Sequence, residues 1–410
     1  MPTVNVITTT ISAIQASTDQ SPDDVYYTTD TGQEGFWLIT AVTGLTTNGI
    51  QIISNSPSVL HPAGQTFIRQ SGIFEGTINV KWFGASGLGS SDDYDYIQAA
   101  INYITTTTYT YPTSHPTGGG IVFFPEGRYL ISKGLIVGQY CTLKGISKGG
   151  DHYPVSDWNP AAAHQTGSVI ICSFADGTDP AYPDEKWAVQ SACYVNATGN
   201  LLDYDDAVTH LGALPFDYTI TQGIVIDGLI FLGGWSAESA NWGYGAIKLS
   251  NSPNSLIKDC GFYNFHIGVL ASACHGGTKI ENCYMITNWY GIVDVWNNLL
   301  LIENCYINGF DCDDPFTEQT LPAFIYRENT VPISLSSLYL DDNVLFGSCG
   351  IYCCNIGEPE SVDGSASGLT VISTVVQRYT NGITSIYSGL ELSGIHIECG
   401  DGFTLYGVAV

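Results

Sequence analysis

Three short runs repeat one pattern of side chains: Ile257-Lys258-Asp259-Cys260, Ile280-Glu281-Asn282-Cys283 and Ile302-Glu303-Asn304-Cys305, set 23 and 22 residues apart. If the period is structural, Glu281 and Glu303 stand on neighbouring repeats about 5 Å apart, the separation at which retaining glycosidases hold a nucleophile and an acid/base. Each follows an apolar Ile and should therefore point the opposite way, outward. The same file has a plainer reading, an exposed Lys258–Glu281 ion pair of little energetic consequence. A third candidate acid, Asp294, lies in Gly291-Ile292-Val293-Asp294-Val295-Trp296, beside Trp289 and Tyr290. With Val293 and Val295 inward, Asp294 and Trp296 share the outer face. A carboxylate among aromatic rings suits sugar recognition, because ring faces stack on pyranoses while the acid takes hydroxyls or moves a proton. Trp242 is a further aromatic for that surface, and an ordinary solvated Asp is the alternative at 294.

Other chemistry-bearing residues have structural explanations. Metal ligands converge on a point, whereas Cys260, Cys283 and Cys305 spread along a file, so they are read as small buried packing groups. Asp259, Asn282 and Asn304 form the next file, where amides in register bond to one another and to turn backbone. Asp227, before Gly228, is read as a turn residue. Asp311, Asp313, Asp314 and Glu318 crowd one segment, a solvated acidic loop or a Ca²⁺ site. Cys349, Cys353 and Cys354 have no His at zinc spacing. No metal and no cofactor is expected.

The period implies what positions these groups. A second column, Gly245-Ala246-Ile247, Gly268-Val269-Leu270 and Gly291-Ile292-Val293, recurs every 23 residues, with Gly350-Ile351-Tyr352 and Gly382-Ile383-Thr384 as later members. Two columns with one period predict a solenoid of stacked coils. Segments 151–222, 235–243, 311–333 and 355–367 read as insertions, which collect on one side and build a binding surface. Upstream, Ile97, Ala100, Ile101 and Ile104 fall at helical spacing, with Ser91 or Asp92 as the N-terminal cap. Residues 118–131 read as two strands flanking a tight turn.

Trp82-Phe83-Gly84-Ala85, Asp92-Asp93, Ile97-Gln98-Ala99-Ala100-Ile101 and Gly119-Gly120-Ile121-Val122-Phe123-Phe124-Pro125-Glu126-Gly127-Arg128-Tyr129 stand in one order over about 55 residues. Together they resemble the opening of the pectate-lyase-like superfamily. The resemblance implies an all-β fold, a right-handed parallel β-helix whose N-terminal helix caps the first coil. The family's Gly-Asp-Gly is here Gly87-Leu88-Gly89. His275, in Cys274-His275-Gly276, is similar to one polygalacturonase motif, but the companion patterns are missing and that activity does not carry over.

The chain has 410 residues, with 39 acidic against 12 basic side chains and a formal charge of −27. Nucleic acid and anionic membrane are excluded as partners, since both need clustered Lys and Arg. No apolar run approaches the roughly 20 residues of a membrane-spanning helix. Pro2 to Thr10 is polar and β-like, so no secretory signal is expected. Residues 1–76 read as a small β-rich module, with strands near 25–28, 35–39 and 50–53, and residues 77–410 as the β-helix.

This layout is similar to that of bacteriophage tailspikes, virion proteins that are generally homotrimers. It implies binding, and hydrolysis, of a bacterial surface polysaccharide, and a place in the phage tail or outside the cell. Two alternatives stand beside it: a non-catalytic fibre, adhesin or decoration protein, and a Ca²⁺-dependent polysaccharide lyase. Scarce arginine argues against the lyase, which usually takes its base from that residue.

Overall fold

The computed structural model describes residues 6–18, 25–30, 35–39, 52–54, 65–70, 77–105, 119–147, 167–174, 186–192, 194–195, 201–202, 221–233, 244–265, 267–272, 274, 277–288, 290–295 and 300–309, then the backbone of successive strands from Ala323 to Ala409. Near the N-terminus, strands Val25–Thr28 and Gly35–Ile39 form where alternation predicts them, and Ile52–Ser54 falls close to the expected position. With Val6–Thr9 and Thr66–Gln70 they make a five-stranded sheet. Trp37 is buried against Ile14 and Tyr26, and its indole N–H donates to Thr28 Oγ1 at 3.1 Å, so burial leaves no polar group unpaired.

From Thr77 onward the strands stack into three parallel sheets, two of ten strands and one of nine among the described residues. The first sheet runs through Thr77–Asn79, Gly120–Phe123, Cys141–Lys144, Val225–Asp227, Leu256–Lys258, Lys279–Glu281 and Leu301–Glu303 to Gly389–Ser393. The second runs from Leu88–Asp92 to His396–Glu398, and the third from Leu135–Val137 to Tyr406–Ala409. This is the right-handed parallel β-helix that the family resemblance implies, and its stacking is the solenoid that the repeat columns predict. Its core is three in-register columns of fully buried side chains. Val122, Leu143, Ile226, Ile257, Ile280 and Ile302 come from the first sheet, and Tyr129, Ile170, Phe231, Phe262 and Met285 from the second. Leu135, Val189, Ile247, Val269 and Ile292 come from the third. Each such side chain contributes about 1.5–3 kcal/mol by leaving water.

The helix Tyr94–Ile104 buries Ile97, Ala100 and Ile101 against the first coils. Asp92 accepts a first-turn N–H as expected, but the cap position itself falls one residue later. Ser91 and Asp92 end a strand, and Asp93 takes the cap position without a side-chain bond to the helix. Its buried carboxylate instead accepts the N–H groups of Ser86 and Gly87 at 2.6 and 3.1 Å, because a buried charge needs dedicated donors and the folded-back loop supplies them. Asp92 Oδ1 accepts the first-turn N–H of Tyr94 at 3.1 Å.

Two expectations about the coils need correction. The glycine column starts one residue out of register: Ile247 pairs with Val269, and Gly245 pairs with Ile267 rather than Gly268. Gly245 is small for a different reason, since a Cβ there would land in the Trp187 ring, whereas Gly268 lies against the carbonyl of Gly291. Nor is 151–222 one insertion. It contains Ser168–Cys172 of the second sheet and Lys186–Ser191 of the third, and 311–333 contains Ala323–Glu328 of the third. Segments 235–243 and 355–367 lie outside the described residues. No described helix is long and apolar enough to cross a membrane.

Candidate functional site

The second sheet's outer face is closed along its middle coils. Val169, Ile230, Leu232 and Tyr263 alternate with the core column yet are buried, forming a separate apolar cluster with Ile171 and Tyr306. The first sheet's outer face is half-exposed and charged. Lys144, Asp227, Lys258, Glu281 and Glu303 stand in register on five successive coils, and Lys279 joins them from two residues before Glu281.

The ion pairs differ from the expected Lys258–Glu281 contact. Asp227 is the most buried member and draws two cations: Lys144 pairs with it directly, and Lys258 Nζ lies 3.5 Å from the same oxygen. A sequestered carboxylate without countercharge would be costly, which explains why Lys258 turns toward Asp227. Glu281 and Glu303 are served by Lys279, whose Nζ lies 2.5 Å from one carboxylate and 2.9 Å from the other. Hydrogen bonds to Glu281 and then Glu303 raise the Lys279 pKa above its ordinary value. One ammonium thus bridges the carboxylates of two adjacent coils on the outer face of the first sheet.

Asp294 is elsewhere. It sits on the strand Tyr290–Val295 of the third sheet, in register with Ala271 on one side and Arg327 on the other. The two preceding members of its file, Leu249 and Ala271, belong to the core. Ile292, not Val293, joins the main apolar column, so the alternation runs opposite to the sequence expectation. The valine pattern misled because Val293, though 8 % exposed, packs outside that column. Tyr290 shares this strand, in register with Ile267. Trp242, Trp289 and Trp296 lie outside the described residues, as do His275, Asp311, Asp313, Asp314 and Glu318. Cys349, Cys353 and Cys354 fall on the strand Cys349–Cys354 of the third sheet.

The thiol and amide files have the structural roles expected of them. Cys260, Cys283 and Cys305 are buried, each with its sulfur directed at the carbonyl two residues earlier. Burial is the main cause that pushes the Cys283 thiol well up, away from the reactive thiolate form. Asp259, Asn282 and Asn304 adopt left-handed φ of 53°, 53° and 51° at the corner between first and second sheets, and Asn282 Nδ2 donates to Asp259 Oδ1 at 3.4 Å. Among the described residues no group of His, Cys, Asp or Glu is arranged to hold a metal.

Sequence reasoning missed Lys279 as the shared cation, and also missed Tyr140. That residue, at the corner between the third and first sheets, is half-exposed and left-handed. Its signal was the glycines at neighbouring corners, Gly119 and Gly223.

Comparison with known proteins places the chain. The gp42 tailspike of Acinetobacter phage vb_AbaP_AS12 superposes with a TM-score of 0.54 at 13% identity, over 96% of this chain and 58% of that one. The lidless DFA-IIIase of Arthrobacter chlorophenolicus A6 in complex with GF2 gives 0.52 at 11% identity, over 82% and 76% of the two chains. Full-length tailspike protein 2 of Escherichia coli O157:H7 bacteriophage CAB120 gives 0.50 at 11% identity, over 95% and 43%. At such identities the likeness is one of fold. Alginate lyase 7 of Azotobacter vinelandii is 46% identical over 56 residues, and the matched part spans 14% of this chain and 5% of that protein. Residues 77–312 match the model of the rhamnogalacturonase A/epimerase, pectate-lyase-like family, and with more than half its length so matched the chain belongs to that family.

Proposed function

We propose that this protein binds a polysaccharide of the bacterial cell surface along the side of its β-helix, as a homotrimeric tailspike of a phage virion. The observation that carries this reading is the file Lys144, Asp227, Lys258, Glu281 and Glu303 with Lys279, which presents donors and acceptors at one coil spacing, about 4.8 Å, parallel to the axis. A regular polymer laid along that axis meets equivalent polar groups repeatedly. The tailspike-like fold and layout support the virion setting. The test is binding of purified protein to an array of bacterial capsular polysaccharides and lipopolysaccharide O-chains. Retention on at least one polymer is expected, and none retained overturns the reading.

A second reading, cleavage of that polymer, is favoured by the shared contact of Glu281 and Glu303 with one ammonium, which makes them close neighbours. Glu281 and Glu303 are then the proposed nucleophile and acid/base, with Trp289, Tyr290, Trp296 and Trp242 the proposed sugar-stacking aromatics; Asp294, on the third sheet, stands apart from the pair. New reducing ends that disappear in Glu281→Gln and Glu303→Gln would support cleavage. An unchanged chain length after prolonged incubation with a bound polymer would leave binding alone.

A further inference from the structure

Seven non-glycine residues of the described chain have left-handed backbone, and six are Asn or Asp, whose short side chains tolerate it. The seventh is Tyr140, at φ 55°. A bulky residue in this region is strained unless its surroundings fix it. Here both of its backbone groups are used between coils. Its N–H donates to the Gln222 carbonyl at 3.0 Å, and its own carbonyl accepts from Gly120 N–H at 3.3 Å. Equivalent corners on later coils hold Gly223, Asn254 and Gly277, which also have positive φ. The corner therefore asks for Gly or Asn on backbone grounds, a demand that tyrosine does not meet.

The ring is nevertheless placed with care. A Cβ on Gly223 would lie 2.6 Å from Tyr140 Cδ1 and 2.9 Å from Cε1, so the ring rests directly against bare backbone. The hydroxyl is in hydrogen-bond contact with Gln222 Nε2 at 2.5 Å, which fixes the orientation. The residue keeps 51% of its surface exposed, so the opposite side of the ring faces solvent. A fixed, flat, half-open ring with an amide at its edge is pre-organised for an apolar sugar face and an adjoining hydroxyl. It stands at the edge of the charged face, three coils from Lys279, about 14 Å along the axis.

We propose that Tyr140, with Gln222 at its edge, is a stacking subsite for one pyranose of the bound polysaccharide. This rests on the polysaccharide-binding reading above. The glycan runs along the corner between third and first sheets, with Tyr140 holding one unit and the charged file others.

The test compares wild type, Tyr140→Asn and Tyr140→Trp on the same array of capsular polysaccharides and O-chains, with thermal unfolding of each protein. Tyr140→Asn is expected to lose about tenfold in affinity for the retained polymer, while its unfolding midpoint stays equal or rises as strain is relieved. Tyr140→Trp is expected to keep most of the affinity. Undiminished binding by Tyr140→Asn overturns the subsite and leaves the polysaccharide reading intact. A midpoint that falls together with affinity makes Tyr140 a packing residue and also overturns it. If wild type retains no polymer, the polysaccharide reading fails first and the subsite with it.

Discussion

Glu281 and Glu303, on adjacent coils, share the ammonium of Lys279, which reaches both without leaving the outer face of the sheet. Removing that cation leaves two carboxylates facing each other. Lys279→Met is expected to destabilise the protein by about 1 kcal/mol, the upper range for a partly exposed pair. Adding Glu303→Gln to that variant should recover part of the loss, because the remaining repulsion goes with it. Urea denaturation of the single and double variants measures both steps.

The same cluster sets an alkaline dependence. The folded pKa of Lys279 is raised by Glu281 and Glu303, so its contribution is fully present below the unfolded value, about 10.4, and is lost as pH rises through the folded one. The stability gap between wild type and Lys279→Met should be constant from neutral pH to about pH 10 and narrow above it. A gap independent of pH up to the alkaline transition would show that the ion pairs do not contribute.

Asn282→Ala places a Cβ-bearing residue without a local hydrogen bond at φ 53°. It should cost about 1 kcal/mol, whereas Asn282→Gly should stay within about half of that. Equal losses in the two variants would mean that the amide ladder to Asp259, rather than the backbone, governs this corner.

Gly245→Ala drives a methyl into Trp187, which is buried and cannot yield outward. A loss of about 2 kcal/mol or more is expected, with a shift in tryptophan emission as the ring is displaced. Gly268→Ala should be equally harmful without the spectral change, because Gly268 abuts backbone.

The thiols of Cys260, Cys283 and Cys305 should resist a soluble disulfide reagent at pH 8 in the folded protein and react on denaturation, since all three are buried out of the reagent's reach and burial also pushes the Cys283 thiol up. Mapping the labelled peptides by mass spectrometry distinguishes these three from the other cysteines of the chain.

The solenoid was legible because its signal is redundant. The Ile, Cys and Asn files each repeat at one period, and the capping helix follows an apolar spacing that admits little else. The charged face was half legible. Glu281 and Glu303 were placed outward by their Ile neighbours, but which cation each acid takes depends on the burial of Asp227, on the coil next to Lys258, which no residue type discloses. Which residue of the Tyr290–Val295 strand joins the core column was not legible, because Ile292 and Val293 are both apolar and side-chain type alone does not say which faces the core. Register against Val269 and Leu270 settles it. Tyr140 carries no motif, and its one signal in the sequence is the glycine at each neighbouring corner, Gly119 and Gly223.

The in-register column from Leu135 to Val408 passes through coils of very different length without a break. Extra residues are therefore absorbed at the corners, one coil at a time, while neighbouring coils keep their pairing. Such a body can change the outline it offers to a ligand by local additions of chain, and any one addition puts at risk only the coils that touch it. Variation in recognition is decoupled from the integrity of the rod.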